Sequence, residues 1–180
     1  MQQGNVARPI KPPTPFANAS AFSGASSGMG IAIIIGERWR AWTLHPDWKS
    51  MRGSQRDIEW AEAVGFELLV HTLNLLPQTH SHVIVYGDNT GVVEGWWNGR
   101  HRNIETNHIF RRIHNFLLEA RRLRDIRTSY IPSAANPADG PSRGIYGSRM
   151  LLLLRVPVPP QLLPFITDVE DTPPSQSNPP

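Results

Sequence analysis

The sequence predicts a mixed α/β (α+β) domain built on one sheet with helices on both faces, and three observations lead to that prediction. Three short strands joined by tight turns, Ala19–Phe22, Met29–Ile35 and Arg38–Leu44, are typical of an antiparallel meander. Val83–Tyr86 is an unbroken apolar run rich in β-branched residues, as in a strand buried on both faces. Long amphipathic helical patterns flank that central strand. Together with one later strand, these segments predict a five-stranded mixed sheet.

The helical patterns are defined by the spacing of their apolar residues. Glu62, Phe66, Leu69 and Leu73 fall on one stripe of a helix predicted over Glu59–Leu76. The remaining elements, in chain order, are a short helix, a second long helix, a fifth strand and a short helical turn that holds Asp139 between prolines: Gly91–Trp97, Ile104–Leu123, Ile126–Ile131 and the turn before Pro141.

The distribution of proline predicts the domain organisation. The leader, residues 1–18, contains several prolines and has no hydrophobic period, so we expect it to be flexible. Residues 157–180 hold 8 of the 17 prolines, which predicts an extended or disordered tail over residues 147–180. The domain itself is expected to span residues 19–146.

Composition limits the classes of function. The chain has 180 residues and no cysteine, which excludes disulfides and thiolate metal sites. Neither a signal peptide nor a membrane span is expected, and we predict an intracellular location, in the cytoplasm or the nucleus. The basic isoelectric point, about 9.8, comes from 16 Arg against 2 Lys. Because arginine suits bidentate phosphate contact, this balance favours a nucleic-acid partner.

Two acidic residues stand where chemistry is possible, and each has an ordinary structural alternative. Asp88 follows the central strand at its carboxyl end, where the ligands of α/β sheets bind; alternatively, it caps the next helix. Glu62 begins an otherwise apolar stripe, and a buried carboxylate is costly unless it gains a partner or a metal. Alternatively, Glu62 lies half exposed in the first helical turn, where the helix dipole favours an acid. The residues alone leave both alternatives open.

Three motifs in this order carry a resemblance to a known family: RDIEWAEAV, VIVYGDNTGVV and YIPSAANPADGPSR. From about Ala19 to Gly144, the chain resembles the RNase H domain that follows reverse transcriptase in retroelements. The resemblance implies an RNase H-like fold in which four carboxylates hold two Mg²⁺ ions, or Mn²⁺, that cut the RNA strand of an RNA–DNA hybrid. By motif, Glu62 matches the helix Glu, Asp88 the central-strand Asp and Asp139 the final Asp.

The chain departs from the family at the fourth carboxylate. The family places an Asp in the first strand, in a motif similar to Asp-Ala-Ser followed by glycines, and the matching text here is SGASSGMG. Gly24 therefore stands where the family has the Asp that bridges both ions. Since glycine offers no side-chain oxygen and two dications repel each other, we expect Mg²⁺ or Mn²⁺ to bind weakly if at all.

Basic residues supply a second set of candidates. Arginines of the loop before the second long helix, of that helix and of the terminal turn are expected to contact the phosphate backbone: Arg100, Arg102, Arg111, Arg112 and Arg143. A solvated basic face is the ordinary alternative for any one of them. The resemblance also implies a neighbouring reverse-transcriptase domain as a partner.

Three hypotheses about function follow. The first is a working hybrid-cutting ribonuclease in which Ser, water or substrate phosphate replaces the missing ligand. The second is a catalytically silent RNase H-like module that binds nucleic acid or packs against a polymerase. The third is a structural remnant with neither role. The motifs and the basic helix favour the first two, and Gly24 favours the second over the first.

Overall fold

A computed structural model describes residues 12–49 and 56–173. The strands in chain order are β1 (Ala17–Ala25), β2 (Gly30–Ile35), β3 (Arg38–Leu44), β4 (His82–Gly87), β5 (Asp125–Tyr130) and β6 (Ile166–Asp168). The helices are α1 (Ile58–Leu75), α2 (Thr90–Asn98), α3 (Ile104–Glu119) and the short α4 (Asp139–Ser142). The strands form one six-stranded sheet in the order β5-β4-β1-β2-β3-β6.

The directions of the strands confirm the predicted fold class. β1, β2 and β3 form an antiparallel meander. β4 lies beside β1 and parallel to it, and β5 is parallel to β4. This is the mixed α/β sheet of an RNase H-like fold, with the Asp88 strand next to the first strand as predicted. The sheet has one strand more than expected, because β6 pairs with the edge strand β3.

Helix α1 lies close to the centre of the sheet because its Gly65 faces the strands. A Cβ atom at Gly65 would stand 3.1 Å from Ile31 Cγ2 and 3.5 Å from Ser23 Cβ. Without a side chain there, the helix packs near the backbones of β1 and β2 and buries apolar residues such as Leu69 against the sheet. This close approach brings the amino-terminal half of α1 to the carboxyl end of β1.

The predicted helix over Ile104–Leu123 ends earlier, at Glu119. The Asn74 side chain of α1 explains the difference, because its Oδ1 accepts the backbone N–H groups of Arg122 and Leu123, both at 3.2 Å. These amides therefore do not continue the hydrogen-bond pattern of the helix, and the chain turns toward β5. Leu123 is nevertheless fully buried.

Residues 147–173, the described part of the predicted extended or disordered tail over residues 147–180, pack against the domain and are not disordered. Four apolar side chains of this segment are buried in the main core: Leu153, Val156, Leu162 and Ile166. Arg40 of β3 fixes the segment, since its buried guanidinium bonds to Asp168 Oδ2 at 2.8 Å and to the Leu153 carbonyl at 2.5 Å. Apolar contacts and a buried ion pair thus outweigh the extended preference of the prolines. Residues 174–180 lie outside the described chain.

The amino-terminal boundary also shifts. β1 begins at Ala17 rather than Ala19, and Phe16 packs edge-on against His82 with the Arg127 guanidinium 4.3 Å from its ring centroid. The predicted flexible leader, residues 1–18, falls mostly on residues 1–11, which lie outside the described residues. Among the helices that the structure describes, none is both long and apolar enough to cross a bilayer.

Candidate functional site

Glu62 is a buried carboxylate of α1. The helix begins at Ile58 with Asp57 as its N-cap, so Glu62 lies beyond the first turn. Its exposed fraction is 6%, which excludes the half-exposed alternative. Its Oε1 accepts the backbone N–H of Ala25 at 3.1 Å. The carboxylate is therefore fixed at the carboxyl end of β1.

Asp88 lies directly after β4 and does not cap α2. The N-cap is Asn89, whose side chain accepts the Val92 N–H at 3.0 Å. The capping alternative for Asp88 is therefore wrong, and the half-buried carboxylate is available at the end of the central strand.

The charges of three acidic residues act on one another. Burial raises the pKa of the Glu62 carboxyl well above its usual value, and the neighbouring Asp88 and then Asp139 raise it further. These are the three acids matched by motif. Among the described residues, however, no group of three His, Cys, Asp or Glu side chains stands in a metal-ligating arrangement. Asp139 is held by Arg143, whose Nε lies 3.2 Å from both carboxylate oxygens.

Asn136 fastens the Asp139 turn to the first strand. Its Nδ2 donates to the Ser23 carbonyl at 2.9 Å, and its Oδ1 accepts the Ala138 N–H at 3.0 Å. The side chain is buried, so both bonds are shielded from water. Asn136 thereby sets the distance between α4 and β1, and with it the place of Asp139 beside Gly24.

Gly24 lies at the fourth position of the motif, where the family has a carboxylate. Ser23 pairs with Gly87, so the next residues on these parallel strands, Gly24 and Asp88, lie on neighbouring strands as predicted. A Cβ atom at Gly24 would point toward α4, 3.3 Å from Asn136 Nδ2 and 3.5 Å from Ala138 Cβ. A side chain here would thus enter the space between β1 and the Asp139 turn, after a shift of a few tenths of an ångström by the Asn136 amide.

The carboxylates of Glu62, Asp88 and Asp139 are the candidate ligands for a divalent cation, although among the described residues they do not stand in a ligating arrangement. Carboxylate oxygens are the ligands that hard cations such as Mg²⁺ prefer, and the carboxyl groups of Glu62 and Asp88 interact directly. Asp139 instead pairs with Arg143. A second ion about 3.5–4 Å away requires a shared ligand, and Gly24 supplies no side-chain oxygen at that position.

The predicted phosphate-binding arginines divide into two groups. Arg100, Arg102 and Arg111 are exposed, and Arg100 and Arg111 line one shallow depression of about 300 Å³. Arg112 is a correction: it binds the fully buried Glu67 of α1 in a bidentate pair, with N–O distances of 2.9 and 2.7 Å. The guanidinium thus balances an interior charge through Nε and Nη2. Arg143 is exposed but already pairs with Asp139.

Sequence reasoning missed three other contributors. Glu67 gave no signal, because α1 is buried along most of its length and the ion-pair partner of Glu67, Arg112, is 45 residues away in the sequence. Asn136 stands inside the YIPSAANPADGPSR motif, which could have marked it. The contact between His101 Nε2 and Glu59 Oε2, at 3.0 Å, joins the loop between α2 and α3 to helix α1. No hydrophobic period in the sequence relates these two residues.

Comparisons with known proteins give a likeness in shape. No protein-family model matches the chain, and no curated protein matches it. RNase H1 of the archaeon Halobacterium salinarum NRC-1 is similar over 66% of this chain and 88% of that chain, with 14% identity and a TM-score of 0.44. The N-terminal RNase H domain of a Mycobacterium tuberculosis protein is similar over 69% and 87%, with 16% identity and a TM-score of 0.44. The fold assignment itself rests on the order and directions of the strands in this chain.

Proposed function

We propose that this chain is a nucleic-acid-binding, RNase H-like domain of retroelement origin that binds RNA–DNA hybrid and has weak or lost two-metal endonuclease activity. One observation carries the proposal: Asp88 and Asp139 both act on the buried carboxyl of Glu62, and the fourth position of the motif is a glycine. A carboxylate cluster with a raised pKa at the carboxyl ends of central strands is typical of a functional site.

The basic loop before α3 supports binding of a phosphate backbone. Arg100 and Arg102 are exposed there, and the His101–Glu59 contact ties the loop to the amino-terminal turn of α1. Glu62 lies on the same helix one turn further on. A polyanion bound to these arginines would therefore lie beside the carboxylates, and phosphate contacts of this kind supply most of the sequence-independent affinity.

The missing carboxylate at Gly24 supports weak cleavage. Two-metal hydrolysis uses one ion to activate the attacking water and the other to stabilise the leaving oxygen. Ser23 does not replace the missing ligand, because its side chain faces α1 near Gly65, while Gly24 faces α4. With three acids, one ion would bind weakly and the pair would not form.

The biological setting is part of the same proposal. A retroelement RNase H-like domain acts next to a reverse-transcriptase domain, which we propose as its partner. Mg²⁺, or Mn²⁺, is the proposed cofactor of the weak single site, and the nucleic-acid partner implies an intracellular location.

Salt-dependent binding tests the proposal. The affinity for a labelled RNA–DNA hybrid is measured from 50 to about 300 mM salt for the unaltered chain and for the variant Arg100→Ala/Arg102→Ala/Arg111→Ala. We expect weaker binding and a salt slope lower by up to about three units, about one for each phosphate contact.

The matched control removes the same charge at the far end of α3, in Arg121→Ala/Arg122→Ala/Arg124→Ala, where all three side chains are exposed. Affinity and slope should change little in this control. Equal losses in both triple variants would mean that net charge alone attracts the hybrid, and no hybrid binding by the unaltered chain would overturn the proposal.

A further inference from the structure

The loop between α2 and α3 has a buried histidine between two exposed arginines. Arg100 and Arg102 are exposed, while the side chain of His101 is only 5% exposed. An alternation of this kind in a short loop means that the middle residue anchors the segment and its neighbours project into solvent. The contacts of His101 determine how firmly the loop is anchored.

The imidazole of His101 bonds at both nitrogens. Its Nδ1 accepts the backbone N–H of Asn103 at 3.0 Å, and its Nε2 lies 3.0 Å from Glu59 Oε2. Because a backbone N–H can only donate, Nδ1 carries no proton, and the proton on Nε2 is donated to the Glu59 carboxylate. The ring is therefore fixed in one tautomer and one orientation.

The backbone of His101 is held from the opposite side by α3. Its N–H donates to Asn107 Oδ1 at 2.6 Å, and its carbonyl accepts from Asn107 Nδ2. Phe110 contacts the ring edge-on. A Cβ atom at Gly95 would stand 3.2 Å from both the Arg100 carbonyl and His101 Cδ2, so α2 also packs closely on the loop. Three helices thus hold one residue.

Glu59 connects this anchor to the start of α2. A Cβ atom at Gly91 would lie only 2.7 Å from Glu59 Oε1, so the carboxylate rests against the first turn of α2, just after Asp88. The basic loop, the amino-terminal turn of α1 and the end of the central strand therefore meet at Glu59. Movement of the loop changes contacts at the edge of the carboxylate site.

We propose that His101 is the positioning residue of a preformed phosphate clamp made by Arg100 and Arg102, and that its bond to Glu59 holds this clamp in register with the carboxylate site. The inference rests on the proposed binding of RNA–DNA hybrid. His101 itself is too buried to contact phosphate. Its effect is to order two flexible arginines before binding, which lowers the entropy lost when the hybrid binds.

A mutant cycle on the hybrid tests this role. Affinity is measured for the unaltered chain, His101→Ala, Arg100→Ala/Arg102→Ala and the triple combination. We expect His101→Ala to weaken binding about tenfold, although no charge is removed at neutral His101. In the background that lacks both arginines, His101→Ala should have little further effect, because there is no clamp left to position.

Two additional measurements separate positioning from folding. Well below the melting temperature of the variant, trypsin should cut after Arg100 and Arg102 faster in His101→Ala than in the unaltered chain, and His101→Gln, whose amide can still donate to Glu59, should restore most of the affinity. If His101→Ala does not fold, Glu59→Ala removes the same bond at a partly exposed site and should give the same non-additive pattern.

Three results would overturn the inference: unchanged affinity in both single variants, equal losses with and without the two arginines, or unchanged cleavage by trypsin. In each of these the unaltered chain still binds the hybrid. A failure of the proposed function is distinct, because the unaltered chain would then not bind at all.

Discussion

Helix α1 buries two glutamates less than two turns apart. One has a positively charged neighbour and the other has negatively charged neighbours. Glu67 is fully buried and receives two hydrogen bonds from Arg112. Glu62 is almost as buried, but its charged neighbours are Asp88 and Asp139. Burial raises the pKa of both carboxyls; Arg112 offsets part of the rise at Glu67, while the two aspartates add to it at Glu62.

The difference separates a structural ion pair from a candidate site. A buried pair with complete hydrogen bonds is a way to place charge in a core without large cost. Like charges gathered at the carboxyl end of a sheet are unfavourable for folding, and such groups are characteristic of functional sites, where a ligand balances them. The two glutamates would look alike by burial alone.

The largest expected effect comes from breaking the structural pair. Arg112→Ala leaves the Glu67 carboxylate buried without a counter-charge, so the free energy of unfolding should fall by about 3–5 kcal/mol. Urea denaturation at neutral pH measures the change. The double variant Arg112→Leu/Glu67→Leu should recover most of the loss, because it removes both charges. An Arg112→Ala variant as stable as the unaltered chain would mean that Glu67 is not an interior charge.

The next largest effect is the pH dependence of the free energy of unfolding that His71 causes. His71 lies one turn beyond Glu67 on α1. Burial and then the nearby Arg112 lower the pKa of His71 to about 4, from 6.5. The unfolded chain therefore binds a proton that the folded chain does not between these values, and stability is lost as pH falls from about 6.5 to 4. The loss should be about 2–3 kcal/mol between pH 7 and 4.5.

The variant His71→Gln isolates this contribution. Its free energy of unfolding should depend less on pH over that interval, by the same 2–3 kcal/mol. The comparison uses urea midpoints of both proteins at pH 7 and pH 4.5. Identical pH dependence would show that folding does not lower the pKa of His71.

A smaller and opposite effect is expected at Glu62. Because its folded pKa is raised, the folded chain holds this proton more tightly, and stability is lost as pH rises through the raised pKa. Glu62→Gln removes the repulsion and should stabilise the chain by about 1 kcal/mol at pH 7, as neutralising substitutions at functional sites commonly do. Thermal unfolding at pH 7 and pH 4 tests this, with the gain expected only at pH 7. Destabilisation at pH 7 would contradict the raised pKa of Glu62.

Much of the fold could be predicted because its signals are local. The β-branched run before Gly87 identified the central strand, and tight turns identified the meander. The elements that were missed depend on distant partners: Asn74 ends α3, and Arg40 fixes the carboxyl-terminal segment. The apolar residues of that segment follow no helical or strand period, so proline content dominated the prediction.

The site divides in the same way. Motifs singled out Glu62, Asp88 and Asp139, and both aspartates act on the Glu62 carboxyl, while Asp139 is paired with Arg143. Charge counting could not separate Arg112 from Arg111, because neighbouring residues of a helix point in different directions and only Arg112 faces α1. Whether the three acids bind a cation and whether the exposed arginines bind phosphate remain predictions.

The most direct test of the central claim, an RNase H-like site that lacks one carboxylate, is Mg²⁺-dependent cleavage of a labelled RNA–DNA hybrid by three proteins. The unaltered chain should cut very slowly or not at all, and Gly24→Asp should cut faster by orders of magnitude with nearly unchanged hybrid affinity. Gly24→Asn fills the same space near Asn136 and Ala138 without the charge, and should not cut. Robust cleavage by the unaltered chain would contradict the account, as would a Gly24→Asp variant that binds two ions tightly and still cuts nothing.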